Sequence, residues 1–380
     1  AQIEPGRLSG IVQVLASDSF EGRSPGGASE AKTVAYLIDQ FEALGLEPGG
    51  EDGGWTQPVP LVHTRLRGLF QLELVIGGKQ YPLVQGTDVE VSTVGADENV
   101  RINKAPVVFV GFGVAAPERN WDDFGDMDLH GKVAVFLVND PDFAAQATEP
   151  VAGLFGDRRM TYYGRWTYKF EEAARRGAIA ALVIHEDEAA GYGWSVASSS
   201  PGENYALALT PGSAQPLSMQ GWMHQAAASS LFERAGLDFE VERKRARSPA
   251  FKAYELPGVQ LSAELGVAVE HIESHNVLAK LPGSNHADET LMVSAHWDAY
   301  GQGAPDAQGR TVRPGGNDDA LGVAGVLEIA RVLKAGKPLQ RSVVFALWTA
   351  EESGLLVSTA YDSDPLYPLE TTVANLTLDI

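Results

Sequence analysis

Hydrophobic and polar residues follow the periods of both helices and strands along this chain. Apolar residues recur at helical spacing in residues 29–45 and 319–336, and each segment ends at a glycine. Ser29 stands at the N-cap position of the first segment. Residues 259–269 instead alternate with a period of two, with one bend at Gly266, which predicts an antiparallel strand. The chain therefore mixes helices with strands.

Short apolar runs bounded by turn residues predict further, buried strands. In the last third of the chain they are residues 290–296, 341–350 and 371–380. Strands that alternate with a helix favour a largely parallel sheet. The predicted fold class is therefore α/β, with a mixed, mainly parallel sheet flanked by helices and an inserted smaller, β-rich α/β domain.

Changes of pattern divide the chain into three predicted segments. Residues 1–104 hold one strong helix, and the turn-rich stretch 15–27 before it is expected at the surface. Residues 105–250 form the predicted insert, with short strands, a helix over 169–176 and long loops rich in Gly, Ser and Pro. Residues 251–380 return to the main domain, where strands alternate with a helix.

The composition excludes several classes of protein. The net charge of -21, from 50 acidic and 29 basic residues, disfavours nucleic acids and anionic lipids as partners. The sequence contains no run of about 18 apolar residues, so no membrane-spanning helix is predicted. The absence of cysteine excludes disulfides, thiolate metal sites and cysteine nucleophiles. A first residue other than Met fits an exported protein, periplasmic or secreted, whose signal peptide has been removed. The oligomeric state is not indicated.

One histidine and several acidic residues recur where the strands of the last third end. They are His296, Asp298, Asp318, Asp319, Glu351, Glu352 and Asp379. Ligands of open parallel sheets bind beyond the carboxyl ends of the strands, so we expect these side chains to share one crevice. Clustered carboxylates repel one another unless a cation neutralises them, and histidine with carboxylates suits zinc. The pattern predicts a site for a pair of divalent metal ions.

Each of these residues also has an ordinary structural interpretation. Asp318 and Asp319 suit the first turn of a helix, where negative charge is favourable. Glu351 and Glu352 suit a solvated turn. The metal site is favoured because these residues occur together, at successive strand ends.

The motifs HWD, NDDALG, AEESGLL and LDI, in this order, resemble the co-catalytic di-zinc exopeptidase family, which includes bacterial aminopeptidases and glutamate carboxypeptidase. Residues 15–48 and 274–283 are similar to further parts of that family, and residues 105–250 resemble its protease-associated domain. The resemblance implies the zinc exopeptidase fold. Residues 1–104 would then be the N-terminal part of the catalytic domain, and residues 251–380 its metallopeptidase part.

The resemblance also implies two Zn²⁺ ions in the complete protein. His296 and Asp379 would bind one ion, Glu352 would bind the other, and Asp318 would bridge both. The family's further ligand is a histidine downstream of Asp379, yet His296 is the last histidine of this chain. We therefore expect the catalytic domain to continue beyond residue 380, and the 380-residue chain alone to be inactive.

Glu351 and Asp298 are the expected catalytic residues. By resemblance, Glu351 would be the general base, and Asp298 would hold the His296 imidazole by a hydrogen bond. The family also implies a cis peptide between Asp318 and Asp319. The expected activity is removal of N-terminal residues from peptide substrates. A glutamate-carboxypeptidase-like enzyme, or a non-catalytic receptor or binding protein on the same fold, remains an alternative.

Overall fold

The computed structural model describes residues 2–199, 201–208, 216–303, 305–306 and 308–379. The α-helices are α1 (Pro5–Leu15), α2 (Glu30–Ala43), α3 (Trp166–Arg175), α4 (Asp187–Ala190), α5 (Trp194–Ala197), α6 (Gln225–Arg234), α7 (Phe239–Arg245), α8 (Ala320–Lys334) and α9 (Leu356–Ser363). The strands are β1 (Glu47–Pro48), β2 (Thr56–Ile76), β3 (Lys79–Pro82), β4 (Val89–Ser92), β5 (Asn99–Phe109), β6 (Ala115–Ala116), β7 (Trp121–Asp122), β8 (Val133–Leu137), β9 (Ala180–His185), β10 (Glu203–Leu207), β11 (Met219–His224), β12 (Tyr254–Leu281), β13 (His286–His296), β14 (Arg341–Trp348) and β15 (Thr372–Thr377). Within these residues, no helix has both the length and the apolar character needed to cross a membrane.

The chain packs into two compact units. Unit 1 comprises Ala1–Leu61, Tyr205–Ala208 and His271–Ile380, and unit 2 comprises Val62–Asn204 and Leu209–Glu270. Unit 2 contains the predicted insert, residues 105–250, except for Tyr205–Ala208, which belong to unit 1, and it extends beyond the insert on both sides. It is wider because β4 pairs with β11 and β5 pairs with β12, which draws in residues from both flanks. Its interpretation as a protease-associated domain stays a prediction.

Unit 1 is built on a sheet in which β13 lies between two parallel neighbours. β13 pairs in parallel with β14 and with β15, and β14 pairs antiparallel with residues 277–281 of β12. Apolar side chains of α1, α2 and α8 pack with those of β13 and β14 in one buried cluster, which includes Leu15, Phe41, Val326 and Phe345. Burying each such side chain contributes about 1.5–3 kcal/mol. The predicted α/β class, with mainly parallel strands and flanking helices, is confirmed.

The strongest periodic segments fold as predicted. Helix α2 follows Ser29 and ends before Gly45, although the Ser29 side chain makes no capping hydrogen bond. Helix α8 starts directly after Asp319 and ends before Gly336. The predicted strand 290–296 is the end of the longer β13. Local periodicity was sufficient for these elements.

Unit 2 has its own hydrophobic core, which is built on a mainly parallel group of strands. Strands β5, β8, β9 and β11 run parallel, while β12 and β4 pair antiparallel at the two sides. Every residue of β8 and of β9 is buried. Helix α3, predicted over 169–176, packs on β9.

The turn-rich segment 15–27 is only partly at the surface, so that prediction was wrong for its buried residues, while Asp18, Ser19 and Gly26 are exposed. Arg23 is 0% exposed and Phe20 is 4% exposed. Phe20 packs edge-on against Tyr36 of α2, with 5.8 Å between the ring centroids. The Arg23 guanidinium is enclosed by backbone carbonyls that accept its hydrogen bonds. Turn residues suggested exposure, but these tertiary contacts bury Phe20 and Arg23.

Candidate functional site

The carboxyl ends of three parallel strands bring the predicted residues together in unit 1. His296 is the last residue of β13, Glu351 and Glu352 follow β14, and Asp379 follows β15. Because β13 pairs in parallel with both neighbours, these ends meet at one edge of the sheet. Asp318 reaches the same edge from the turn that precedes α8.

His296 is the centre of this cluster. Its Nε2 atom lies 3.0 Å from Asp318 Oδ1, 3.7 Å from Glu351 Oε2 and 3.7 Å from Asp379 Oδ1. Ligand atoms of His296, Asp318 and Glu352 lie within 4.8 Å of one another, as do those of His296, Glu351 and Asp379. One imidazole therefore faces carboxylates from three other segments of the chain.

Asp298 connects the histidine to the turn after β14. Its carboxylate Oδ1 lies 3.4 Å from His296 Nδ1, and its own carbonyl oxygen lies 3.2 Å from the same nitrogen. The two carboxylate oxygens also accept hydrogen bonds from the backbone N–H groups of Glu351, at 3.1 Å, and Glu352, at 3.4 Å. Asp298 is 1% exposed, so these contacts are shielded from water.

Asp318 and Asp319 have different environments although they are adjacent. The Asp319 side chain caps α8, accepting a hydrogen bond from Gly322 N at 2.9 Å, and it also accepts one from His296 N at 3.2 Å. Asp318 points to the His296 imidazole instead. The peptide bond between the two aspartates is cis, as the sequence resemblance implied. The helix-cap interpretation therefore holds for Asp319 and not for Asp318.

Burial and mutual repulsion shift the protonation of the cluster. Burial raises the pKa of Glu351 to about 7 and that of Glu352 to about 8, and neighbouring carboxylates add to both shifts. Burial alone would lower the pKa of His296, but hydrogen bonds to Asp298, Asp318 and Asp379 raise it well above its ordinary value. The protein atoms alone thus leave these carboxylates incompletely compensated.

The donor atoms fit a divalent metal ion. One imidazole nitrogen and several carboxylate oxygens form a donor set that zinc accepts. Glu352 Oε1 is buried and has no hydrogen-bond partner among the residues that the structure describes. A buried carboxylate oxygen needs a partner, and a cation shared with His296 and Asp318 would provide one. Which ion each carboxylate would hold stays a prediction.

Two residues at the site were missed by sequence reasoning. Tyr300 donates a hydrogen bond from its hydroxyl to Glu352, while its side chain remains 40% exposed. Arg23 donates to the carbonyl oxygen of Trp297, between two of the predicted site residues. Tyr300 lies only two residues after Asp298, so proximity to that motif was an available signal. Nothing local marked Arg23, which is distant from the cluster in sequence.

The fold is mixed α/β, and the site brings together donor atoms that could hold a divalent metal ion. The family model of peptidase family M28 matches residues 276–380 of the chain. The segment contains every residue that the strand-end pattern singled out. The resemblance seen in the sequence motifs is therefore confirmed.

Two relatives match part of the chain. Over 107 residues, 28% of this chain, it is 36% identical to an aminopeptidase of Pseudomonas aeruginosa strain UCBPP-PA14. Over 92 residues, 24% of this chain, it is 38% identical to leucine aminopeptidase 2 of Trichophyton rubrum. The matched segments span only 18% and 16% of the lengths of these two relatives.

Solved structures match over nearly the whole chain. The aminopeptidase from Aneurinibacillus sp. strain AM-1 has a TM-score of 0.53 at 20% identity, covering 99% of this chain and 70% of that one. The peptidase M28 precursor from Shewanella amazonensis SB2B has a TM-score of 0.50 at 19% identity, covering 98% of this chain and 70% of that one. At these identities the likeness supports the fold.

Proposed function

We propose that the protein is a zinc-dependent exopeptidase, most specifically an aminopeptidase that removes N-terminal residues from peptides. The observation that carries the proposal is the two sets of ligand atoms around His296, each within 4.8 Å. They lie in the segment that matches peptidase family M28. The names of the Pseudomonas and Trichophyton relatives favour an aminopeptidase over a carboxypeptidase.

Four side chains would hold two zinc ions. His296 and Asp379 would bind one ion, Glu352 would bind the other, and Asp318 would contact both. When bound, zinc supplies a Lewis acid for the substrate carbonyl and lowers the pKa of water in the site. The close approach of Asp318 to His296, at 3.0 Å, supports their sharing one ion.

Two further side chains would handle protons and orientation. Glu351, whose carboxylate lies at the cluster and is only partly exposed, would take the proton of the attacking water and deliver it to the leaving amine. Asp298 would accept a hydrogen bond from the Nδ1–H group of His296 and so direct Nε2 towards the carboxylates that would share the metal. Because Asp298 also accepts hydrogen bonds from the backbone amides of Glu351 and Glu352, it would fix the positions of the proposed base and the adjacent ligand.

The proposal extends to unit 2 and to the location of the protein. Unit 2 would be a protease-associated domain, which is supported by its compactness and by its own hydrophobic core. The protein would be exported to the periplasm or the medium, in line with the description of the Shewanella relative as a precursor. Peptides would be the substrates.

The test is hydrolysis of amino-acid p-nitroanilides by the full-length protein before and after exhaustive chelation. We expect chelation to abolish turnover, and zinc or cobalt to restore it. N-acetylated p-nitroanilides should be inert because an aminopeptidase needs the free amine, whereas cleavage of N-blocked dipeptides instead would indicate a carboxypeptidase. Undiminished turnover in protein shown to be metal-free would refute the metallopeptidase.

A further inference from the structure

Arg23 is a buried cation that makes an unusual number of backbone contacts. Its side chain is 0% exposed. Nε donates to Trp297 O at 2.7 Å, Nη1 donates to Leu15 O at 2.7 Å and to Pro314 O at 2.8 Å, and Nη2 donates to Gly315 O at 2.8 Å. One planar guanidinium therefore serves four carbonyl oxygens with its fixed fork of donors.

Three of these carbonyls belong to the loops that carry the predicted metal ligands. Trp297 lies between His296 and Asp298, and Pro314 and Gly315 lie just before Asp318. In the folded chain the guanidinium joins these two loops, which are separated by residues 299–313 in the sequence. Only the fourth contact, to Leu15, goes to another element, the end of α1.

The backbone around Arg23 reinforces the same connection. Gly301 N donates to Gly22 O at 2.9 Å, and Ala299 N donates to Arg23 O at 3.2 Å. A Cβ atom at Gly22, whose φ is +72°, would lie 2.3 Å from Gly301 O. A Cβ atom at Gly315, whose φ is +52°, would lie 2.7 Å from Arg23 Nη2. The packing leaves no room for a side chain at either glycine.

Charge complements this geometry. The carboxylates of Asp298, Asp319, Glu352 and Asp318 all interact favourably with the Arg23 cation. Burial lowers the pKa of Arg23 to about 10, but the group remains cationic at neutral pH. A lysine would retain the charge and lose the planar fork, so it would not reach all four carbonyls.

We propose that Arg23 is a positioning residue that holds the His296–Asp298 turn and the loop before Asp318 in the arrangement that binds metal. This inference rests on the proposed zinc site. The hydrogen bonds of the Arg23 guanidinium go to backbone carbonyls and not to the side chains that would bind metal. Arg23 therefore acts through the backbone of the loops that carry those side chains. Its loss should weaken metal binding even where the protein stays folded.

Lys169 provides a matched control. It is also 0% exposed, and its ammonium also donates to backbone carbonyls, those of Phe112 at 2.7 Å, Asn139 at 3.1 Å and Tyr163 at 3.0 Å. It lies in unit 2, away from the ligand-bearing loops in the chain. Loss of a buried cation that merely supports folding is therefore reproduced by a substitution at Lys169.

The experiment compares Arg23→Lys, Arg23→Gln and Lys169→Gln in the full-length protein. Zinc affinity is measured by competition with a chromogenic chelator, the melting temperature is measured without metal, and kcat and KM are measured with zinc at saturation. We expect Arg23→Gln to lower zinc affinity about 10–100-fold, the usual effect of losing an outer contact of a metal site. Its kcat should fall more than KM changes, because the ligands and Glu351 are displaced together.

Arg23→Lys should fold more readily and should still lose at least about fivefold in zinc affinity, less than the loss of about 10–100-fold expected when the contact is lost completely. Lys169→Gln should lower the melting temperature without this loss. The inference is overturned if Arg23→Lys loses less than about fivefold in zinc affinity relative to the wild type. It is also overturned if Lys169→Gln loses as much zinc affinity as the Arg23 variants. If the wild-type protein binds no zinc, the proposed function itself fails, which is a separate result.

Discussion

Glu351 and Glu352 are adjacent in the chain but differ in their neighbours. Glu351 Oε2 lies 3.7 Å from His296 Nε2, whereas Glu352 receives the Tyr300 hydroxyl on one oxygen and has its other oxygen buried without a hydrogen bond among the described residues. Asp298 holds the backbone amides of both. Fixed main chains with different side-chain surroundings allow the two carboxylates to take different roles.

We therefore expect Glu351→Gln and Glu352→Gln to have different effects. Glu351→Gln should keep zinc affinity and lower kcat about 10²–10⁴-fold, because it removes a general base without removing a ligand. Glu352→Gln should weaken zinc binding, because an amide oxygen replaces a charged donor. Chelator competition and p-nitroanilide kinetics measure the two quantities. Equal losses of zinc in both variants would show that the roles are wrongly divided.

At the scale of the element, the first turn of α8 contributes directly to the site. Asp319 is fully buried and joins the helix to the end of β13 through Gly322 N and His296 N. Burial raises the pKa of Asp319 to about 7, with the charge of His296 opposing the shift. The cap thus fixes the backbone position of the histidine as well as the start of the helix.

Asp319→Ala should destabilise the metal-free protein by about 2–4 kcal/mol, since it removes a helix cap and leaves the His296 N–H buried without its acceptor. Asp319→Asn keeps one carbonyl oxygen and should cost less. Urea unfolding of the metal-free variants measures both free energies. A loss below about 0.5 kcal/mol in Asp319→Ala, the level of an ordinary surface substitution, would contradict the assignment.

The elements also show what sequence could and could not predict. Helices α2 and α8 and the end of β13 were predictable because their apolar periods are local. The site residues were predictable because the ends of parallel strands share one edge. The burial of residues 15–27 and the limits of unit 2 depend on contacts distant in sequence: Arg23 meets Trp297, and β4 meets β11. No local pattern encodes such pairings.

At the scale of the whole molecule, a buried histidine in unit 2 makes stability depend on pH. His185 is 1% exposed and packs against Tyr192, Trp194 and Trp222, with ring centroids 5.3–5.6 Å away. Burial lowers the pKa of His185; the Asp187 carboxylate raises it, and His224 lowers it further. The folded state therefore favours the neutral imidazole, and the unfolded state takes up a proton more readily.

This contribution to stability is fully present above the ordinary histidine pKa of about 6.5 and is lost as the pH falls from there through the lower folded-state pKa. We expect His185→Phe to lose less stability than the wild type between pH 7.5 and pH 5, because it has no imidazole to protonate. Denaturant unfolding across that range measures the difference, and subtraction removes the titration of the metal-site carboxylates. A His185→Phe profile parallel to the wild type would exclude this role.

β15 pairs only with β13 among the described strands, and its side chains Val373 and Leu376 are 54% and 56% exposed. A strand edge with exposed apolar side chains is a surface on which a further strand, of the same chain or of another molecule, can pair. The net charge of -21 opposes such contacts, because like-charged molecules repel over a Debye length of about 10 Å at 0.1 M salt. Association between molecules of this chain therefore depends on both the apolar edge of β15 and the negative charge of the surface. Added salt shortens the range of the repulsion and leaves the apolar edge unchanged, so a higher ionic strength favours association.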